Sequence, residues 1–184
     1  MTIYQQIVAA CWGVLLVVWF VLALALGQRG RHTTRAWWLR LAVIALLLVA
    51  VYFITRARPP PALGQPTPGV ALAGAVLCIA GCAFAVWARI SMGARWRVPP
   101  SQDNRPEIVT TGPFAYVRHP LYAGIIAMLI GSAINNPAGY VDILIGAVSL
   151  VILARHEERD MLRLLPDSYA TYMERTKRFV PFVF

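Results

Sequence analysis

Arg118-His119-Pro120-Leu121-Tyr122 sets a guanidinium, an imidazole and a phenol at the start of an apolar run, just after the turn-forming Gly112-Pro113-Phe114. Further along, Glu157 and Glu158 leave a second apolar run. Polar groups at such boundaries are costly unless partners or a ligand meet them. Pro120 suits the first turn of a helix, and His119 before it reads as its cap. Helix-start amides can receive an anionic group. Val109-Thr110-Thr111-Gly112-Pro113-Phe114 adds a tight turn and an aromatic wall. Backbone donors, an aromatic face and a carboxylate together suit a zwitterionic or cationic small molecule.

Periodicity distinguishes the two glutamates. At roughly 100° per residue, Leu150, Leu153, Glu157, Met161 and Leu164 share one stripe of a helix. Arg155, Arg159 and Arg163 form another stripe, roughly opposite Glu157. Glu157 is therefore expected on the apolar face, turned back toward the bundle and answered by an arginine of the third loop or by a ligand cation. Glu158, one step around the helix, is the alternative buried carboxylate. The arginine stripe reads as a lipid-headgroup contact.

The elements that must hold these groups are apolar. The chain is 59% hydrophobic and 14% charged, with a mean hydropathy of +0.62, which points to a polytopic membrane protein. Three long runs, Ile7 to Leu26, Leu39 to Ile54 and Val70 to Ala88, approach the roughly 20 residues that cross a bilayer. Tyr122 to Ile134 and Val141 to Ala154 are shorter, and Asn135-Asn136-Pro137-Ala138-Gly139 between them predicts a helical hairpin. The fold expected is all-α, with about five spans, a single domain over residues 1–184, and a C-terminal helix. The last span lacks proline from Val141 until Pro166, so it is expected to emerge from the bilayer as one helix, with Asp167 capping a terminal helix through about Arg175. Gly74 and Gly81, seven residues apart, suit close helix packing.

The net charge of +9 is distributed by loop. Arg29, Arg31, Arg35 and Arg40 surround the first loop; Arg89, Arg95, Arg97, Arg105 and Arg118 the third; Arg155, Arg159, Arg163, Arg175, Lys177 and Arg178 lie toward the C-terminus. The second loop, Pro-rich and extended, carries only Arg56 and Arg58, and the fourth carries no Lys or Arg. Alternate basic loops predict an outside N-terminus and a cytoplasmic C-terminus, in the plasma or inner membrane if the source is a prokaryote, and make a nucleic-acid partner a poor fit. The N-terminal run lacks a basic segment before it and reads as a retained span. Cys11, Cys78 and Cys82 fall in hydrophobic runs and read as small buried residues. There is no GxGxxG after a strand, no P-loop, no GxSxG and no zinc spacing.

Taken together, Gly112-Pro113-Phe114, Arg118-His119-Pro120-Leu121-Tyr122-Ala123-Gly124, Glu157-Glu158, Tyr169, Tyr172 and Arg178-Phe179-Val180-Pro181 resemble the isoprenylcysteine carboxyl methyltransferase family and the related phospholipid N-methyltransferases. The likeness runs from about Ile108 onward; the first three spans match only as generic hydrophobic helices. It implies an S-adenosylmethionine-dependent methyltransferase whose cofactor sits beneath the third loop and the terminal helix. By that likeness, Ile108 and Val109 contact cofactor through backbone, Phe114 takes an aromatic position usually filled by Tyr, His119, Pro120, Leu121 and Tyr122 line the cofactor, and Glu157 holds its α-amino group. The family's substrate arginine, four residues before that glutamate, is replaced here by Leu153, which leaves Arg155 or a third-loop arginine to orient the acceptor. Leu165-Pro166-Asp167 also stands where the family often has Phe-Gly-Glu.

The acceptor implied is lipophilic or prenylated and enters from the lipid bilayer. An isoprenylcysteine-type carboxylate needs no base; an amine or thiol does, and Glu158, His119 or a tyrosine such as Tyr169 are the candidates. Phospholipid methylation, a noncatalytic membrane factor and a membrane reductase of the same architecture are the alternatives.

Overall fold

The computed structural model describes residues 2–27, 64–93, 107–136 and 140–180. The expected second span, the first loop, most of the Pro-rich second loop, residues 94–106 of the third loop and the Pro137-Ala138-Gly139 turn lie outside the described residues.

Five α-helices carry the described fold: α1 Ile3–Gly27, α2 Pro68–Met92, α3 Pro120–Asn135, α4 Tyr140–Leu164 and α5 Pro166–Arg175. A short 3₁₀ turn, Gly112–Ala115, precedes α3. Among the described residues there is no strand beyond a single parallel bridge between Val117 and Lys177. Helices α1 and α2 are long and apolar enough to cross a membrane, and α3 is a shorter apolar helix. As expected, α4 is one continuous helix of 25 residues, about 37 Å long at 1.5 Å per residue.

The large hydrophobic side chains left exposed include Val14, Val17 and Phe20 on α1, Val70, Leu72 and Val76 on α2, and Leu144, Ile145, Ile152 and Leu153 on α4. So broad an apolar surface is foreign to water-soluble monomers and is what lipid contact requires.

Small residues bring α2 and α3 together. A Cβ added to Gly81 would stand 2.6 Å from the Gly124 carbonyl oxygen, and one added to Gly124 would stand 2.6 Å from that of Gly81. One turn-pair away, Gly131 meets the Gly74 carbonyl and the Cys78 backbone. Gly74 and Gly81 thus find partners seven residues apart on α3, and the backbones touch where larger residues would separate them. Cys11, Cys78 and Cys82 are free and buried, and the Cys82 thiol donates to the Cys11 carbonyl at 3.3 Å, linking α2 to α1.

Helix α5 begins at Pro166, with Leu165 in the cap position and no side-chain cap. Asp167 therefore does not cap it, contrary to expectation. It sits in the first turn, where its charge favours the positive helix end.

Candidate active site

The site begins with a turn that only glycine enters without strain. Gly112 has φ +62°, and a Cβ there would stand 2.8 Å from the Ser91 hydroxyl at the end of α2. The 3₁₀ turn it opens buries Pro113 and Phe114, and the Phe114 carbonyl accepts a hydrogen bond from the Tyr172 hydroxyl at 2.7 Å. Val117 to His119 then run beside the C-terminal segment. The Arg118 N–H donates to the Lys177 carbonyl at 2.8 Å, and the His119 N–H donates to the Arg178 carbonyl at 3.0 Å.

Arg118 and Arg178 converge on Glu158 from opposite sides. Arg118 Nε donates to Oε1 at 2.8 Å, and Arg178 Nη2 donates to Oε2 at 2.7 Å. Arg118 Nη1 also donates to the carbonyls of Met173 and Thr176. One carboxylate thus ties α4 to the start of α3 and to the C-terminal segment. Burial alone would raise the Glu158 pKa, but the nearby His119 ring and the hydrogen bonds from Arg178 and Arg118 outweigh it and hold the carboxyl well below the usual range. Paired charges of this kind are stable as a set and costly to break singly.

The other half of the site carries Glu157, whose side chain is half exposed. The His119 ring stacks on the Tyr122 ring, with centroids 5.4 Å apart and planes 3° from parallel. The Tyr122 hydroxyl donates to Glu157 Oε1 at 2.6 Å, while Glu157 Oε2 stands 3.5 Å from His119 Nδ1. On its far side, His119 Nε2 is buried without a hydrogen-bond partner among the described residues, 3.4 Å from Glu158 Oε1. Phe179 tilts over the same ring with centroids 6.0 Å apart.

These positions correct three expectations. The buried acid is Glu158, with its side chain 5% exposed, whereas that of Glu157 is 46% exposed. Leu153, assigned to the inward stripe, is itself exposed, and Ala154 is buried in its place. The inward face is rotated because lipid accepts apolar side chains as readily as a protein core does, so hydrophobic spacing does not mark the buried side of a spanning helix. His119 occupies the cap position of α3, and its carbonyl accepts the Ala123 N–H at 3.0 Å, yet its side chain makes no cap. The ring is taken up by the two glutamates instead.

Of the remaining expected residues, Pro120, Leu121 and Tyr122 form the buried first turn of α3. Phe114 is buried. Ile108 and Val109 are half-buried in extended chain leading to the turn, with Val109 packed on the core. Tyr169 is buried on α5; burial and the Glu158 charge raise its hydroxyl pKa, so it stays protonated. Burial likewise pushes Tyr172 up to about 12. Arg155 is exposed and lines a cleft with Glu158, Arg159, Leu162, Met173 and Arg178; His119, Tyr122 and Glu157 do not line it.

Arg118 and Arg178 stand in the motifs, but neither was expected to hold Glu158. The signal was present: each begins a motif, Arg-His-Pro and Arg-Phe-Val-Pro, and an apolar chain with a buried acid needs cations to answer it.

The arrangement offers a half-open carboxylate fixed on one oxygen, a stacked imidazole–phenol wall, and a rigid ion-paired support behind them. Among solved structures, the chain resembles the eukaryotic intramembrane Ras methyltransferase ICMT (isoprenylcysteine carboxyl methyltransferase), with a TM-score of 0.54 at 17% identity, over 96% of this chain and 68% of that one. No curated protein sequence matches it. The family model for phospholipid methyltransferases matches residues 70–167, more than half of the 184 residues and including most of α2, all of α3 and both glutamates. The chain therefore belongs to the phospholipid methyltransferase family.

Proposed function

We propose that the chain is an integral membrane enzyme that transfers a methyl group from S-adenosylmethionine to a lipophilic acceptor. The observation that carries this reading is the contrast at Glu157: a half-exposed carboxylate with one oxygen held by Tyr122 and no arginine paired with it among the described residues. An anionic group so held fits an ammonium, and the parallel His119 and Tyr122 rings beside it supply a flat wall. Both features fit the amino-acid end of the cofactor.

When bound, S-adenosylmethionine supplies a methyl group activated by its sulfonium, which an in-line nucleophile takes in a dry, positioned site. Glu157 would accept the α-ammonium, the backbone of Ile108 and Val109 would offer hydrogen bonds, and Phe114 with His119, Pro120, Leu121 and Tyr122 would wall the group in. The Arg118–Glu158–Arg178 clasp holds this wall in place. Glu158 is a poor base while two guanidiniums hold it ionised, and Tyr169 is a poor one while burial keeps it protonated. His119 is thus the residue suited to take a proton from an amine or thiol acceptor.

Two acceptor classes follow from the two relatives. A prenylcysteine carboxylate wants an arginine where this chain has Leu153, and that side chain is apolar and 46% exposed. This favours a phospholipid or lipophilic amine. The acceptor would enter from the membrane and the cofactor from the cytoplasm, with the N-terminus outside, in keeping with the alternating basic loops.

Calorimetry of the detergent-solubilised chain tests this, with S-adenosylmethionine in one arm and NADPH in the other. Saturable binding of the first alone is expected, followed by radiolabelled methyl transfer to a lipid or lipophilic amine. Binding of NADPH instead would turn the reading to a reductase; binding of neither would leave a noncatalytic membrane factor.

A further inference from the structure

The cleft between α4 and α5 has a chemistry of its own. It is an open depression of about 290 Å³ lined by Arg155, Arg159 and Arg178 together with Glu158, Leu162 and Met173. Arg178 is already engaged by Glu158. Arg155 and Arg159, one helical turn apart, make no ion pair among the described residues, whereas the next arginine of the stripe, Arg163, pairs with Asp160 at 3.3 Å. Three guanidiniums against one carboxylate leave the lining with a surplus of two positive charges. Glu158 adds little repulsion toward an anion, because Arg118 and Arg178 both neutralise it.

The depth of the cleft is fixed by its neighbours. Ile152 and Leu153 are exposed and apolar on the same helix, and Arg155 follows Leu153 by two residues, or about 3 Å along the axis. The guanidiniums therefore begin where lipid-facing surface ends, at the level of the headgroups. Arginine's planar fork suits the paired oxygens of a phosphate, and Leu162 and Met173 supply an apolar side to the same cleft.

We infer that this cleft is a binding site for a phosphate group, most suited by its depth to the headgroup of a membrane phospholipid. It is separate from the Glu157–Tyr122–His119 wall and does not depend on which cofactor or acceptor that wall receives. Lipid occupancy there would brace α5, and with it the C-terminal segment that carries Arg178.

The test uses the full chain purified in detergent, without methyl donor. Retention of phosphatidylglycerol and of diacylglycerol, which lacks the phosphate, is counted by native mass spectrometry, with inorganic phosphate as competitor. Phosphatidylglycerol should be retained and diacylglycerol not. The double variant Arg155→Gln/Arg159→Gln should weaken retention by about tenfold or more, the size expected for lost charge-assisted hydrogen bonds, and Arg163→Gln by less than about twofold, as for an exposed pair. Displacement by inorganic phosphate assigns the cleft to soluble phosphates; resistance to it assigns the cleft to the lipid headgroup. Equal losses in the Arg163 variant, or equal retention of diacylglycerol, would overturn the site. If the double variant fails to fold, Arg155→Gln alone is read against Arg163→Gln by the same criteria.

Discussion

Of two consecutive carboxylates on α4, Glu158 has both oxygens engaged by arginines and is nearly sealed from solvent, whereas Glu157 leans on one phenol and stays half exposed. The Arg-His-Pro tripeptide is divided in the same way. Arg118 belongs to the sealed side, and the His119 ring stands between the two acids, within 3.5 Å of each. The lesson is that adjacent residues of one motif can serve different ends. Glu158 assembles the support, and Glu157 is the group with capacity left for a ligand.

The sealed side should show the largest effect. Glu158→Ala leaves Arg118 and Arg178 facing each other without their shared anion, and loss of one partner of such a buried pair costs about 3–5 kcal/mol. Thermal or denaturant unfolding in detergent measures it. The pH dependence carries the same signature. The folded carboxyl titrates below its unfolded value, which for Glu is about 4.3, so its contribution is whole above that pH and is lost as pH falls below it. The stability gap between the native chain and Glu158→Gln should therefore narrow in acid. A gap that stays constant down to pH 3 would deny that the ion-paired form is what stabilises the fold.

A smaller effect is expected at the glycine seam, which supports the site from beneath. Gly124→Ala forces a methyl against the Gly81 carbonyl and should destabilise by about 1–3 kcal/mol, the usual cost of overpacking. Gly13 has open space around it, and Gly13→Ala should gain up to about 1 kcal/mol from helix propensity. Equal effects at the two positions would mean that α2 and α3 do not meet backbone to backbone.

How far the sequence foretold this depends on the kind of signal. The helices α1 and α2 were legible because long apolar runs report membrane length directly, α3 and α4 from shorter runs separated by a turn-forming sequence, and Pro120 and Pro166 mark helix starts by what proline cannot do. Gly74 and Gly81 were legible as a packing face, though their partners Gly124 and Gly131 were not, since nothing local names the opposite helix. The orientation of α4 was misjudged by one residue step. Its lipid side, with Leu144, Ile145 and Leu153, is as apolar as its protein side, so only the polar residues could reveal the inward face. The two arginines that answer Glu158 lie 40 residues before it and 20 residues after it, and only the fold brings them together. The ligand role proposed for Glu157 rests on the resemblance of the motifs to methyltransferases, since the periodicity behind it placed that side chain wrongly.

The central claim is that Glu157 binds while Glu158 builds, and Glu157→Gln tests it most directly. The substitution keeps the shape and removes the charge from a half-exposed position. Stability should hold to within about 1 kcal/mol, while S-adenosylmethionine affinity by titration calorimetry should fall roughly 10- to 100-fold, as for one lost hydrogen bond to a charged group. Unchanged affinity in a folded Glu157→Gln protein would contradict the account.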